Sequence, residues 1–148
     1  MTTDLAALGL ALKRAQHRNH RAAEAALRPL GVTLVQWDAL RAIDRLPHGS
    51  GHDLALATFQ SDQSFGALAT RLVNRGLATR RAGQGRRIEH TLTSEGRAIL
   101  DDGSRIMSQV LEDLFSPLSE AARDNLAGIL STLLAEDGAR TEQGALAV

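Results

Sequence analysis

Hydrogen-bonding side chains stand beside arginines in one stretch of the chain. Gln63 and Ser64 begin a predicted helix over residues 62–75, which Ser61 or Asp62 would cap and Gly76 would end. The same exposed face continues with Gly66, Ala67, Thr70, Arg71 and Arg75. Small and hydrogen-bonding side chains near a helix N-terminus suit contact with base edges, and later arginines suit phosphates. Gln63 and Ser64 are therefore predicted to read bases, although such a face alone also fits a solvated surface helix.

A basic hairpin is predicted directly after this helix. Two short β-type runs flank the glycine-containing turn at residues 83–85, and four arginines are predicted to cluster at its tip: Arg80, Arg81, Arg86 and Arg87. Arginine inserted into a narrow minor groove has an electrostatic rationale. The pattern therefore predicts a wing in which Arg86 and Arg87 serve the minor groove, while Arg80, with Arg71 and Arg75, holds phosphates. Gly66 and Ala67 are predicted to allow close approach or a thymine-methyl contact.

The spacing of apolar residues predicts how these side chains are positioned. The buried face of the second helix recurs at helical spacing: Phe65, Leu68, Ala69 and Leu72. A turn over residues 48–52 leads into a short helix over 53–58, whose apolar stripe is Leu54, Ala55 and Ala57. A bend at residues 59–61 joins the two helices. The order predicts a helix–turn–helix followed by a wing.

Four longer helices are predicted around this unit. They cover about residues 3–27, 34–45, 94–115 and 119–135, and all three prolines fall at their boundaries. Thr33 would cap the second of them, with Val35, Ala39, Leu40 and Ile43 facing inward. Trp37 is predicted to lie in the core. Residues 137–148 are predicted to be a flexible tail.

The terminal helices carry more apolar surface than a winged-helix core can cover. Leucines and alanines on the first helix form a near-heptad stripe: Leu5, Leu8, Leu12, Ala15, Ala22 and Ala26. Residues 1–31 and 93–136 are therefore predicted as dimerisation helices around a DNA-binding part over residues 32–92. An isologous dimer would present two such parts to half-sites roughly 34–36 Å apart. A monomeric helical bundle is the alternative.

Composition limits the class of protein. A chain of 148 residues suits a single domain, and 43% hydrophobic with only 3% aromatic content predicts an aliphatic helical core. The net charge is zero, but residues 60–97 hold seven arginines against three carboxylates, whereas residues 98–148 hold three basic against nine acidic groups. The chain has no cysteine. No secretion signal or membrane span is predicted, so a cytoplasmic location is expected.

The order of these segments resembles the MarR family of bacterial winged-helix regulators. The resemblance runs from about Leu5 to Leu134 and is most specific at Arg71-Leu72, Arg75-Gly76-Leu77, Arg86 and Leu92-Thr93…Gly96. Gln84 stands where that family usually has an Asp. The resemblance implies a mainly α homodimer with a hairpin wing, whose DNA binding responds to small aromatic or phenolic effectors. Such an effector pocket would be lined by His17, His20, Trp37 and Arg41.

Other chemistry has weaker support in the sequence. His17, His20 and Glu24 have a spacing that suits zinc ligands, but arginines crowd the same helix. No nucleophile elbow or phosphate loop occurs, so neither a catalytic residue nor a cofactor is predicted. The favoured hypothesis is a DNA-binding repressor reading a pseudo-palindromic operator. The alternative is a helical protein-interaction or metal-sensing module that has lost or modified DNA binding.

Overall fold

The computed structural model describes residues 2–145, with side chains described up to residue 135. The helices are α1 (Leu5–Leu27), α2 (Leu34–Arg45), α3 (Gly51–Ala57), α4 (Asp62–Asn74), α5 (Ser94–Phe115) and α6 (Glu120–Ala145). A short 3-10 turn at Arg28–Leu30 follows α1. Strands β1 (Ala78–Ala82) and β2 (Ile88–Leu92) pair as an antiparallel hairpin.

The chain divides into two compact units, residues 1–110 and residues 111–148. The first unit contains α1 to α4, the hairpin and most of α5. The second unit contains the end of α5 and α6, which continues past the end predicted near residue 135. The predicted flexible tail over residues 137–148 lies outside the residues whose side chains are described, and it stays a prediction.

Side-chain caps fix where the helices begin. Thr33 and Gln36 form a reciprocal capping box at α2, as the sequence predicted for Thr33. Ser50 and Asp53 form a second capping box, so α3 begins at Gly51. The predicted turn over residues 48–52 was therefore two residues too long, because Ser50 satisfies the first amide groups of the helix.

The core of the first unit is aliphatic, with one tryptophan and one phenylalanine. The predicted inner face of α4 is confirmed, since Phe65, Leu68, Ala69 and Leu72 are all buried. Trp37 is 4% exposed, and its indole N–H donates to the Leu100 carbonyl oxygen at 3.3 Å. The core therefore joins α2, α4 and α5 beneath the hairpin.

Two residues predicted to face inward are exposed. Val35 is 41% exposed, whereas Trp37, Ala39, Leu40 and Ile43 on the same helix are buried. Val35 lies in the first turn of α2, before the buried stretch of this helix that begins at Trp37. Ala57 is exposed at the last residue of α3, whereas Leu54 and Ala55 are buried.

Leucines along the first half of α1 are exposed. Leu5 is 77% exposed, and Leu8 and Leu12 are each 55% exposed. In the second unit, Ile129 and Leu134 are 51% and 67% exposed. An exposed apolar stripe on helices of this length is typical of a surface that pairs with another helix.

Candidate nucleic-acid interface

Helix α4 presents its polar face to solvent. The Ser61 hydroxyl caps the helix by accepting from the Ser64 backbone N–H at 3.1 Å, and it also donates to the Ser64 hydroxyl at 3.0 Å. Burial of Phe65 and Leu72 on the opposite face fixes the rotation of the helix. The predicted reading residues are all exposed: Gln63, Ser64, Gly66, Ala67, Thr70 and Arg71.

The hairpin stands next to this face and is tied to it. In the register of the two strands, Arg80 lies opposite His90 and Arg81 lies opposite Glu89. The Arg80 guanidinium donates to the Thr70 hydroxyl on α4 at 2.6 Å. Arg80 and Arg81 therefore lie within β1 and not at the tip of the hairpin, where the sequence placed the whole cluster.

Arg75 and Arg87 make contacts with their own chain. Arg75 caps the end of α4, and its guanidinium donates to the Gln36 side-chain oxygen on α2 at 3.2 Å. Arg87 donates to the His48 carbonyl oxygen at 3.0 Å and lies 3.7 Å from the Asp53 carboxylate. No local signal in the sequence indicated these partners, because they come from α2, α3 and the turn between those helices.

Two histidines lie close to the reading face. The His52 ring donates from Nδ1 to the Asp62 carboxylate at 2.9 Å, and this hydrogen bond raises the pKa of His52. His90 is 5% exposed and contacts the Phe65 ring edge-on, with 5.9 Å between ring centroids. Burial, with a smaller effect from Arg80, lowers the pKa of His90, so this side chain stays neutral beneath α4.

The predicted effector residues are only partly brought together. The Arg41 guanidinium lies over the Trp37 ring, 4.9 Å from its centroid, and pairs with Asp38 at 3.0 Å. Burial raises the pKa of Asp38, while Arg41 and His20 act in the opposite direction. His17 instead lies among exposed basic residues of α1. The described structure thus groups three of the four predicted residues around Asp38.

A groove of about 260 Å³ adjoins this group, between α2 and the turn that follows α3. Asp38, Arg41 and Arg45 supply its charged lining. Phe59 borders it from the predicted bend, where its backbone takes a left-handed φ of 56° and its side chain is 98% exposed. Trp37 is 4% exposed, so its ring offers almost no surface to a ligand.

Among the residues that the structure describes, no three His, Cys, Asp or Glu side chains come close enough together to hold a metal ion. His20 and Glu24 approach to 4.0 Å on α1. None of the helices in this part of the chain is both long and apolar enough to span a bilayer.

An exposed, capped second helix followed by an arginine-bearing hairpin defines a winged helix–turn–helix protein. Residues 30–88 match the sequence model described as the MarR family. Residues 30–88 therefore carry the sequence pattern of that family, and the resemblance found in the sequence is confirmed for this segment. No curated protein matches the chain.

Solved structures agree with this assignment. A probable transcriptional regulator from Pseudomonas aeruginosa is 28% identical, with 84% of this chain and 95% of that chain covered and a TM-score of 0.76. A Mycobacterium tuberculosis MarR family protein in complex with salicylic acid is 26% identical (85% and 95% covered, TM-score 0.70). A mutant MarR from E. coli complexed with operator DNA is 21% identical (86% and 93% covered, TM-score 0.79). The predicted mainly α fold with a hairpin wing is thereby confirmed.

Proposed function

We propose that this chain is a homodimeric transcriptional regulator, a ligand-responsive repressor that binds duplex DNA through α4 and the hairpin. The observation that carries the proposal is the joint exposure of the polar face of α4 and the arginine-bearing hairpin. The contact between Arg80 and Thr70 holds the two together. A helix in the major groove and an adjacent basic hairpin at the minor groove can then act as one surface.

The charge distribution of the chain and its similarity to a solved protein–DNA complex both support DNA as the partner. Seven arginines lie between residues 60 and 97, and a carboxylate-poor surface of this kind attracts the phosphate backbone. The E. coli protein with the same fold was solved with operator DNA. Gln63 and Ser64 are proposed to contact bases from the first turn of α4.

A homodimer is supported by the leucines exposed along α1 and the apolar side chains exposed on α6. Two copies related by a twofold axis would cover both surfaces and present two recognition helices to a pseudo-palindromic site. Sedimentation of the purified protein tests this point. A species of twice the chain mass is expected, and a monomer at micromolar concentration would contradict the dimer.

An aromatic or phenolic anion is the proposed effector, since the M. tuberculosis relative was solved with salicylic acid. The partly exposed Arg41 guanidinium, which borders the groove beside Phe59, offers a positive charge to such an anion. A ligand bound there would act by favouring a dimer whose recognition helices are mis-spaced for successive major grooves.

The DNA-binding proposal is tested by fluorescence anisotropy with the duplex that lies immediately upstream of this coding sequence. Affinity should fall steeply with salt, and Arg86→Ala should reduce the slope of log K against log salt by about 0.9. Arg105→Ala, an exposed change on α5, is the matched control and should leave the slope unchanged. Absence of duplex binding even at low salt would reject DNA binding in favour of a protein-interaction module. Zinc titration of the same sample tests the metal-sensing alternative.

A further inference from the structure

The tip of the hairpin separates two neighbouring arginines. Residues 84–87 form a tight turn in which the Arg87 N–H donates to the Gln84 carbonyl oxygen at 3.3 Å. The Arg87 carbonyl oxygen accepts from the Gly83 N–H at 2.8 Å, and Gly85 takes a left-handed φ of 66°. Arg86 therefore lies at the apex of the turn, and Arg87 lies at its base with both backbone groups hydrogen-bonded.

The side chain of Arg87 points back to the body of the unit. Its guanidinium donates to the His48 carbonyl oxygen at 3.0 Å and lies 3.7 Å from an Asp53 carboxylate oxygen. That same oxygen accepts from the Ser50 N–H at 2.9 Å in the capping box of α3. The guanidinium thus joins the base of the hairpin to the start of α3 and to the turn before it.

A second side chain of the hairpin contacts the same turn. Glu89 lies 3.6 Å from Nδ1 of His48, and its carboxylate group covers the backbone at Gly83. Arg87 and Glu89 are two residues apart, so both project from one face of the extended chain. His48 is therefore held by the hairpin through its backbone carbonyl and its ring.

We propose that Arg87 is a positioning residue: it clamps the hairpin onto the α2–α3 turn so that Arg86 alone enters the DNA groove. The inference rests on the proposed function and changes the role that the sequence predicted for Arg87. To contact DNA, the Arg87 guanidinium would have to give up its hydrogen bond to the His48 carbonyl oxygen and its ion pair with the Asp53 carboxylate. Within the described residues, Arg86 has no hydrogen bond or ion pair to give up.

The salt dependence of DNA binding separates a positioning residue from a phosphate contact. With the upstream duplex, Arg86→Ala should lower the salt slope by about 0.9, because one phosphate contact is lost. Arg87→Ala should weaken binding by about fivefold with an unchanged slope, as expected for losing one exposed tether. A slope reduced by Arg87→Ala as much as by Arg86→Ala would overturn the proposal.

The sign of the coupling between Arg87 and Asp53 gives a second test. Asp53→Asn removes the charged partner of Arg87, and an amide oxygen can still serve the capping box. The quantity to compare is the change in DNA-binding free energy that Asp53→Asn causes in each background. If Arg87 is a clamp, this change should be less favourable in the wild-type protein than in the Arg87→Ala variant. If Arg87 contacts DNA, releasing it from Asp53 should make the change more favourable in the wild type, which would contradict the clamp.

Hydrogen–deuterium exchange of the free protein tests the clamp without DNA. Arg87→Ala should speed amide exchange across residues 83–92, whereas Arg86→Ala should not. Exchange equal to wild type in Arg87→Ala would reject the clamp. A further outcome is a wild-type protein that binds no duplex at any salt concentration, while the Arg87→Ala and Arg86→Ala variants still differ in exchange. That result would reject the proposed function and support the clamp.

Discussion

Replacing Gly96 tests how α5 is docked against the reading unit. A Cβ at this position would lie 2.9 Å from the carbonyl carbon of Leu77 and closer still to its oxygen, whereas real Cβ contacts essentially never fall below 3.0 Å. Leu77 is the last of the three residues between α4 and β1. The obstructing atoms belong to its backbone and therefore cannot rotate away. The same Leu77 oxygen also accepts from the Thr93 N–H at 3.1 Å.

The expected loss of stability follows from three contributions. Forcing a methyl group against fixed backbone costs about 3 kcal/mol, at the upper end for overpacking. Displacing the Leu77 carbonyl from Thr93 costs about 1 kcal/mol more. Alanine in place of glycine in a helix returns about 1 kcal/mol. The Gly96→Ala protein should therefore lose about 3 kcal/mol of unfolding free energy, or about 6–12 °C in Tm.

Urea and thermal unfolding followed by the fluorescence of Trp37, the chain's only tryptophan, measure this loss. The matched control is Gly66→Ala on α4, where a Cβ would meet nothing within 4 Å. That change should stabilise the protein by about 1 kcal/mol through helix propensity. If Gly96→Ala proved as stable as the wild type, the close packing of α5 on Leu77 would be refuted.

Three further predictions concern the reading unit. Gln63→Ala should relax preference at one base position by about 1–3 kcal/mol, and an unchanged ranking of single-base operator variants would contradict base readout. Burial lowers the pKa of His90 from its ordinary value of 6.5. The free energy of unfolding should therefore decrease as the pH falls below 6.5 towards the lowered pKa. In urea titrations, the His90→Leu variant should lose less stability on the acid side than the wild type. The hydrogen bond to Asp62 raises the pKa of His52 above 6.5, so its contribution should be complete below pH 6.5 and disappear as pH rises through the raised pKa. His52→Gln should abolish that part of the pH dependence, and identical stability profiles would exclude the pair as a contributor.

Local rules explain why so much of the architecture could be predicted. The inner face of α4 follows from helical spacing, since Phe65 and Leu72 are seven residues apart and both are buried. Thr33 was recognisable as a cap because a hydroxyl three residues before Gln36 satisfies the first amide groups of a helix. The same rules apply to each helix independently of what it packs against.

Predictions from the sequence were wrong or incomplete where burial or contact depended on residues that are distant in sequence but close in space. Val35 and Trp37 both fit an apolar helix face in the sequence, but only packing against α5 decides which one is buried. The predicted effector residues show the same limit. Trp37 proved to be nearly enclosed, and the distance between His17 and the Asp38 group depends on how α1 crosses α2.

The sequence by itself determined the order of helices and hairpin, the capped recognition helix and the concentration of arginine around it, because these depend on residues close together in the chain. Only the tertiary structure decided what each arginine does. Arg75 meets Gln36 and Arg87 meets His48, each across 39 residues of sequence. Arginine side chains are long and donate in several directions, so their partners are chosen by whichever carbonyl or carboxylate the packed helices bring within reach.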